Sequence, residues 1–543
     1  MKPGAPDHRV DVYDTTLRDG TQREGISLSC DDKLRIARRL DEIGVAFVEG
    51  GWPGSNPKDA AFFERARDLP WETAALTAFG STRRAKIGAE DDANLRALLA
   101  AQTPVCTIFG KSSVFQVTEI LRTALEENLR MIEESVAFLR SEGRRVVYDA
   151  EHFFDGYAED RAYTLETLRA AVRGGAEILV LCDTNGGTMP WEIEAAVADV
   201  IAAVDHPVGI HTHDDGGCGV ANALAAVRAG ARQVQGTING YGERCGNANL
   251  CAVLPGLELK LGARSLPEGG LLHLRELSAY VAEVANLAPD PHMAYVGRSA
   301  FAHKGGVHVS AIRRHPDAYH HIDPATVGNE MRVVVSELSG RSNLLSKAQE
   351  FGVDVTGGAE VAVLEDIKEA EARGFSFEAA EASVAVRLLR RSPGYQPAFE
   401  LIDYTVIDGH RGGDTLTSQA TVKITVGDKV VHVAAEGNGP VSALDAAVRK
   451  ALAPHIPGIG RIRLEDYKVR ILDGRAGTDA TTRVLMYSGD GDHRWSTVGA
   501  STNIVEASWQ ALVDSLEYGL SLAGEPEAAS AGAPEVRRVH EAR

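Results

Sequence analysis

Val10-Asp-Val-Tyr-Asp-Thr-Thr-Leu-Arg-Asp-Gly20 begins as an apolar/polar alternation and then breaks into a polar turn. The alternation reads as a β-strand ending near Tyr13, and a helical pattern over Asp31–Ile43 follows it. The intervening turn lacks the GxGxxG spacing that seats a dinucleotide at the first turn of an open doubly wound sheet. Seven more strand patterns lie downstream: Ala46–Glu49, Ala74–Phe79, Val105–Phe109, Arg145–Tyr148, Ile178–Cys182, Val208–His211 and Val234–Ile238. Helical patterns separate them, over Asp59–Asp68, Glu119–Arg140, Leu165–Gly174, Pro190–Val204, Ala221–Ala229 and Leu250–Leu261. Strand followed by helix, repeated through roughly 250 residues, predicts a closed parallel (β/α)₈ TIM barrel, of α/β class.

At 543 residues the chain exceeds one ordinary domain. A catalytic barrel is expected in residues 1–268. A helical connector follows in 269–395, with helical patterns at Leu272–Val284 and Glu360–Glu371 and a His-rich stretch from His303 to His321. From 396 to 522 the pattern is α+β, with a βββα unit used twice. Its strands are Phe399–Ile407, Ser418–Val426 and Lys429–Ala435, then Tyr467–Asp473, Thr482–Ser488 and Arg494–Gly499; its helices are Pro440–Leu452 and Ile504–Leu522. A duplicated module appended to a barrel is expected to regulate or dimerise, so a homodimer is expected. Residues 523–543, rich in Ala, Glu, Pro and Gly, are expected to be disordered.

The net charge of −19, from 57 basic and 76 acidic residues, argues against nucleic acid as a partner, because phosphate binding needs a concentrated basic face. Hydrophobic residues at 44% and charged residues at 24% fit a globular protein with full cores. There is no run of the roughly 18 apolar residues a membrane span needs, and Met1–Arg9 has no apolar run of a secretory signal. The six cysteines are scattered without a CxxC pair, which reads as reduced thiols in a cytoplasmic enzyme.

Catalytic groups of a parallel barrel sit at the C-terminal ends of its strands. Those positions hold Asp14, Arg18 and Asp19; Glu49; Asp149, Glu151 and His152; Asp183, Thr184 and Asn185; and His211-Thr-His213-Asp-Asp215. His211 and His213 are two apart on a strand, so both imidazoles point the same way. With Asp19 across the mouth they make a metal site in ligand type. Mixed nitrogen and oxygen ligands with open positions suit magnesium, manganese, cobalt or zinc, a Lewis acid for a 2-oxo acid. Arg18, beside Asp19, is placed to hydrogen-bond an oxygen that becomes negative. Glu151 is a candidate acid/base group, with a supporting ion pair as its alternative.

Asp14-Thr-Thr-Leu-Arg-Asp-Gly20, His211-Thr-His213-Asp and Gly240-Tyr-Gly-Glu-Arg-Cys-Gly-Asn247 resemble the signatures of the 2-isopropylmalate, homocitrate and citramalate synthase family. These are metal-dependent barrels that condense acetyl-CoA with a 2-oxo acid. Phe301-Ala-His-Lys-Gly-Gly-Val-His308 is similar to the family's connector segment. Gly477-Thr-Asp-Ala-Thr-Thr-Arg483 with Trp495-Ser-Thr-Val-Gly499 is similar to its feedback domain. The resemblance implies that Asp19, His211 and His213 ligate the metal, with Asn247 as a ligand or close behind it. It implies that Arg18 polarises the keto oxygen and that Thr184 binds the substrate carboxylate. It also implies that His308 is the base for the acetyl-CoA methyl, assisted by Tyr319 and Glu151.

Glu49-Gly-Gly-Trp-Pro-Gly-Ser-Asn-Pro57 and Tyr148-Asp-Ala-Glu-His-Phe-Phe-Asp-Gly156 look most like the citramalate branch, whose acceptor is pyruvate. Phe79 and Phe109 stand where they fill the space of a branched acceptor, or serve as barrel packing. That branch implies isoleucine as the amino-acid effector. The alternatives are the 2-isopropylmalate branch, with 2-oxoisovalerate, and a metal-dependent aldolase or lyase on the same barrel.

Overall fold

The computed structural model describes residues 9–355, 358–411 and 415–523. The chain forms two compact units, Met1–Phe301 with His320–Met331, and Ala302–Tyr319 with Arg332–Arg543.

The first unit is a closed eight-stranded barrel with all neighbours parallel. Its strands are β1 (Asp11–Asp14), β2 (Phe47–Gly51), β3 (Ala75–Ser81), β4 (Val105–Lys111), β5 (Arg145–Glu151), β6 (Ile178–Asp183), β7 (Val208–Thr212) and β8 (Gln233–Gly236). Around it run α1 (Cys30–Ile43), α2 (Pro57–Ala66), α3 (Ala93–Ala100), α4 (Leu125–Ser141), α5 (Phe153–Glu159), α6 (Arg161–Gly174), α7 (Pro190–Val204), α8 (Gly219–Ala229), α9 (Leu250–Pro255) and α10 (Leu274–Val284). Local chemistry sets the helix ends. Ser29 and Asp32 form a capping box at the start of α1, and Gly44 closes it in the left-handed region at φ 89°. Pro57 and Pro190 occupy first turns, where the missing N–H costs nothing.

Two long helical readings break where the backbone demands it. The helix predicted from Glu119 starts at Leu125, after a π-turn over Gln116–Ile120 and a left-handed Arg122 at φ 54°. The pattern over Leu250–Leu261 is helical only to Pro255 and continues as a wider π-turn, because Pro255 donates no backbone hydrogen bond. The short helix α3, absent from the sequence reading, is capped by Asp92, which accepts from the N–H groups of Asn94 and Leu95.

Period-2 alternation sorts the strand residues between two cores. Val10, Val12, Val48, Leu76, Ile108, Val146, Leu179, Leu181, Ile210 and Val234 pack outward against the helices. Tyr13, Phe47, Val105, Val147, Ile178, Val180 and Cys182 fill the barrel axis. Above that apolar plug lie buried polar side chains, Glu49, Thr107, Asp149, His211 and Gln235. A buried polar layer is costly unless every group is paired, so its partners carry functional information.

In the second unit β9 (Ala302–His303) and β10 (Arg332–Val333) pair in parallel with α11 (Gly306–Arg314) between them in the chain, and α12 (Arg341–Glu350), α13 (Ala359–Ala372) and α14 (Glu381–Leu389) follow. Then come two antiparallel three-stranded sheets, each followed by a helix. The first is β11 (Glu400–Arg411), β12 (Thr415–Val426) and β13 (Lys429–Gly437) with α15 (Pro440–Leu452). The second is β14 (Arg463–Ile471), β15 (Thr482–Gly489) and β16 (Arg494–Ser501) with α16 (Ile504–Ala523). This is the twice-used βββα unit expected from the sequence. Val335, Leu344, Val363, Ile367, Phe377, Val384 and Leu388 share a core with Val498 and Ala500, so the connector helices and the last strand are packed as one body. The tail beyond Ala523 lies outside the described residues. Among those residues no helix is long and apolar enough to cross a membrane.

Candidate active site

The turn after β1 and the end of β7 converge at the barrel mouth. Asp19, His211 and His213 each present a ligand atom within 4.8 Å of the others, and all three are buried. His211 Nε2 lies 3.4 Å from Asp19 Oδ2 and 3.4 Å from His213 Nε2. Asn247 stands opposite His213 across an isolated bridge. It is brought there by a tight loop in which Gly246 takes φ 103° and would drive a Cβ to 2.0 Å from the Gly240 carbonyl. A Cβ at Gly242 would meet Asn247 Nδ2 at 2.1 Å, so both glycines are needed for this approach.

Asp19 Oδ1, His213 Nδ1 and Asn247 Oδ1 are buried without a hydrogen-bond partner. Buried acceptors left orphaned cost about 1–3 kcal/mol each, and a divalent cation satisfies this oxygen- and nitrogen-rich set. The donor set therefore fits a metal. Burial opposes the charge of Asp19, but Arg18, His211 and His213 outweigh it and hold the carboxyl far below its usual range. Burial also opposes a charged His211, yet Asp19 prevails and raises its pKa. His213 is pushed down to about 4, by burial and then by the neighbouring His211 charge.

Arg18 is held from two sides. Its Nε donates to Glu49 Oε1 at 2.5 Å, its Nη1 lies 3.2 Å from Asp19 Oδ2, and its guanidinium sits 3.8 Å from the centre of the Phe79 ring. Glu49 accepts in turn from the buried Tyr13 hydroxyl at 2.6 Å. Thr184 uses its hydroxyl oxygen to accept from the His152 N–H at 2.8 Å, which leaves its own proton for an acceptor in the cavity. Glu151 pairs with Lys111. Burial pushes the Asp149 carboxyl up to about 7. A cavity of about 200 Å³ joins these groups, lined among others by Arg18, Trp52, Phe79, Phe109, Thr184 and His211.

Arg18, Asp19, Glu151, Thr184, His211 and His213 thus line one cavity, with Asn247 beside His213. His308 and Tyr319 belong to the second unit, where their rings stack with centroids 4.3 Å apart. Sequence reasoning missed Tyr13, Gln235 and Trp52. Tyr13 and Gln235 face inward on the period-2 count of β1 and β8, a signal that was available; Trp52 sits in a loop, where no periodicity marks it.

Fold and site together define a TIM barrel with a buried Asp/His/His group suited to a metal at its mouth and an appended regulatory module. Residues 9–277 match the HMGL-like family, 295–374 the homocitrate synthase post-HMGL domain-like family, and 378–520 the LeuA allosteric (dimerisation) domain. An (R)-citramalate synthase from Geobacter sulfurreducens is 53% identical, over 95% of this chain and 99% of its own length. Similar proteins of that name occur in Synechocystis (53% identical, covering 94% and 96%) and Sulfolobus acidocaldarius (44%, covering 94% and 97%). The chain belongs to the (R)-citramalate synthase family.

Proposed function

We propose that this protein is an acyltransferase condensing acetyl-CoA with pyruvate to give (R)-citramalate and CoA. Support comes from relatives of that name matching nearly end to end. The observation that carries the chemistry is the buried Asp19, His211 and His213 group beside Arg18, in a cavity lined in part by aromatic rings. The proposed division has a catalytic barrel in 1–268, a connector in 269–395 and a regulatory, dimerising domain in 396–522. Isoleucine is the proposed effector, and the working form is a cytoplasmic homodimer.

A divalent cation (magnesium, manganese, cobalt or zinc) held by Asp19, His211, His213 and Asn247 supplies Lewis acidity to the 2-oxo acid. Thr184 donates its hydroxyl proton to the pyruvate carboxylate. Arg18, fixed by Glu49, turns its remaining N–H groups to the keto oxygen and stabilises the charge that gathers there. His308, with Tyr319 stacked on it and Glu151 assisting, takes a proton from the acetyl-CoA methyl. The methyl carbon bonds to the keto carbon, whose π electrons move to oxygen and take up a proton. Water then cleaves the thioester and CoA leaves as the thiol.

The test measures CoA release from acetyl-CoA with pyruvate, 2-oxoisovalerate or 2-oxoglutarate in parallel. Fastest release is expected with pyruvate. Best turnover with 2-oxoisovalerate overturns the acceptor, and no release with any of them overturns the condensation, leaving a lyase as the reading to pursue.

A further inference from the structure

Trp52 is held at every polar atom. Its backbone N–H donates to Asp59 Oδ2 at 2.9 Å, and its carbonyl accepts from the N–H and the hydroxyl of Ser55, each at 3.0 Å. Its indole Nε1 donates to Asn94 Oδ1 at 2.7 Å. Asn94 stands in the first turn of α3, and its Nδ2 donates to the Ser81 carbonyl at 2.7 Å. With Nδ2 committed to Ser81, the Asn94 oxygen must face the indole; a flipped amide sets donor against donor and acceptor against acceptor. The lock needs Gly80, where a Cβ would stand 2.9 Å from Asn94 Oδ1.

The locked indole meets both phenylalanines edge-on, at 5.8 Å from Phe79 and 5.7 Å from Phe109, while those two rings stack at 5.5 Å. Phe79 also carries the Arg18 guanidinium. The group offered to the keto oxygen and the aromatic wall therefore share one ring. Trp52, Phe79 and Phe109 line the same cavity as Arg18 and form its aromatic wall, and a ring fixed at both ends does not swing aside for a larger substituent.

We propose that Trp52 is the wall limiting the acceptor's alkyl group, and that Asn94 is a positioning residue that sets this limit by locking the indole. This rests on the 2-oxo acid reading of the same cavity. A methyl group fits; an isopropyl group, two carbons larger, meets the wall. Size discrimination of this kind amounts to roughly 10–200-fold per methylene.

The test uses the full chain loaded with manganese and compares kcat/KM for pyruvate with that for 2-oxoisovalerate. Trp52→Ala and Asn94→Ala are each expected to lower the pyruvate preference by at least about tenfold. In a Trp52→Phe background, which has no indole N–H, Asn94→Ala should change the preference no further. A purely structural Asn94 instead lowers the melting temperature and slows both substrates alike, and that result overturns its positioning role. An unchanged preference in Trp52→Ala overturns the wall; if that variant does not fold, Trp52→Phe carries the same comparison. Calorimetric binding of the two oxo acids reads the preference without turnover. If the unaltered protein binds pyruvate but releases no CoA, the proposed reaction fails while the affinity ratio still tests the wall. Binding of neither acid overturns both.

Discussion

His211 Nδ1 lies 2.9 Å from Gln235 Oε1, and Gln235 Nε2 donates to Asp149 at 3.0 Å. With its amide nitrogen engaged by the carboxylate, Gln235 offers only oxygen to the imidazole. His211 must then carry its proton on Nδ1 and keep Nε2 directed at Asp19 and His213.

Gln235→Leu should therefore weaken divalent-metal binding by about 10–100-fold. Competition titration against a chromophoric chelator measures it, and an unchanged affinity refutes this role.

Metal binding should release a proton at pH values below the raised pKa of His211. It comes from His211, whose pKa Asp19 raises against burial, and not from His213, already neutral with its pKa at about 4. Calorimetry in buffers of different ionisation enthalpy counts it. In chelator-treated protein the two histidines act oppositely. The raised His211 contributes stability in full below its unfolded value of about 6.5 and loses it as pH rises through the folded value. The depressed His213 contributes stability above about 6.5 that is lost as pH falls toward 4.

Arg18→Lys keeps the charge but loses the planar fork, leaving the wholly buried Glu49 without its Nε partner. A drop in kcat/KM of about 100-fold is expected in the CoA-release assay. Near-normal turnover would show that charge alone suffices.

In the second unit, Asp514 accepts from the Ser383 hydroxyl at 2.8 Å and pairs with Arg387 at 3.4 Å and Arg390 at 2.9 Å. Ser383 also accepts from the Val498 N–H at 3.0 Å, so one network joins α14, α16 and β16. Asp514→Ala leaves Arg387 with Asp366 and Arg390 with Glu517 but takes away the acceptor of the buried Ser383 hydroxyl, and should cost about 1–3 kcal/mol in urea unfolding. A loss near zero means that the packing of α14 carries the joint unaided.

The barrel, the twice-used βββα unit and the shared facing of His211 and His213 are legible in the chain alone. Each follows from a local period, 2 along a strand or 3.6 around a helix, which any short window displays. Where the period was weak or interrupted, at α3, at Pro255 and around Arg122, the element ends moved or the element went unread. Which side chains stand next to which follows from the folded chain instead. Trp52 meets Asn94 across 42 residues, His211 meets Gln235 across 24, and Gln235 meets Asp149 across 86. Folding also groups Ala302–Tyr319, with His308, into one compact unit with Arg332–Arg543. Such contacts come from closing the barrel and packing helices upon it, and no local period records them.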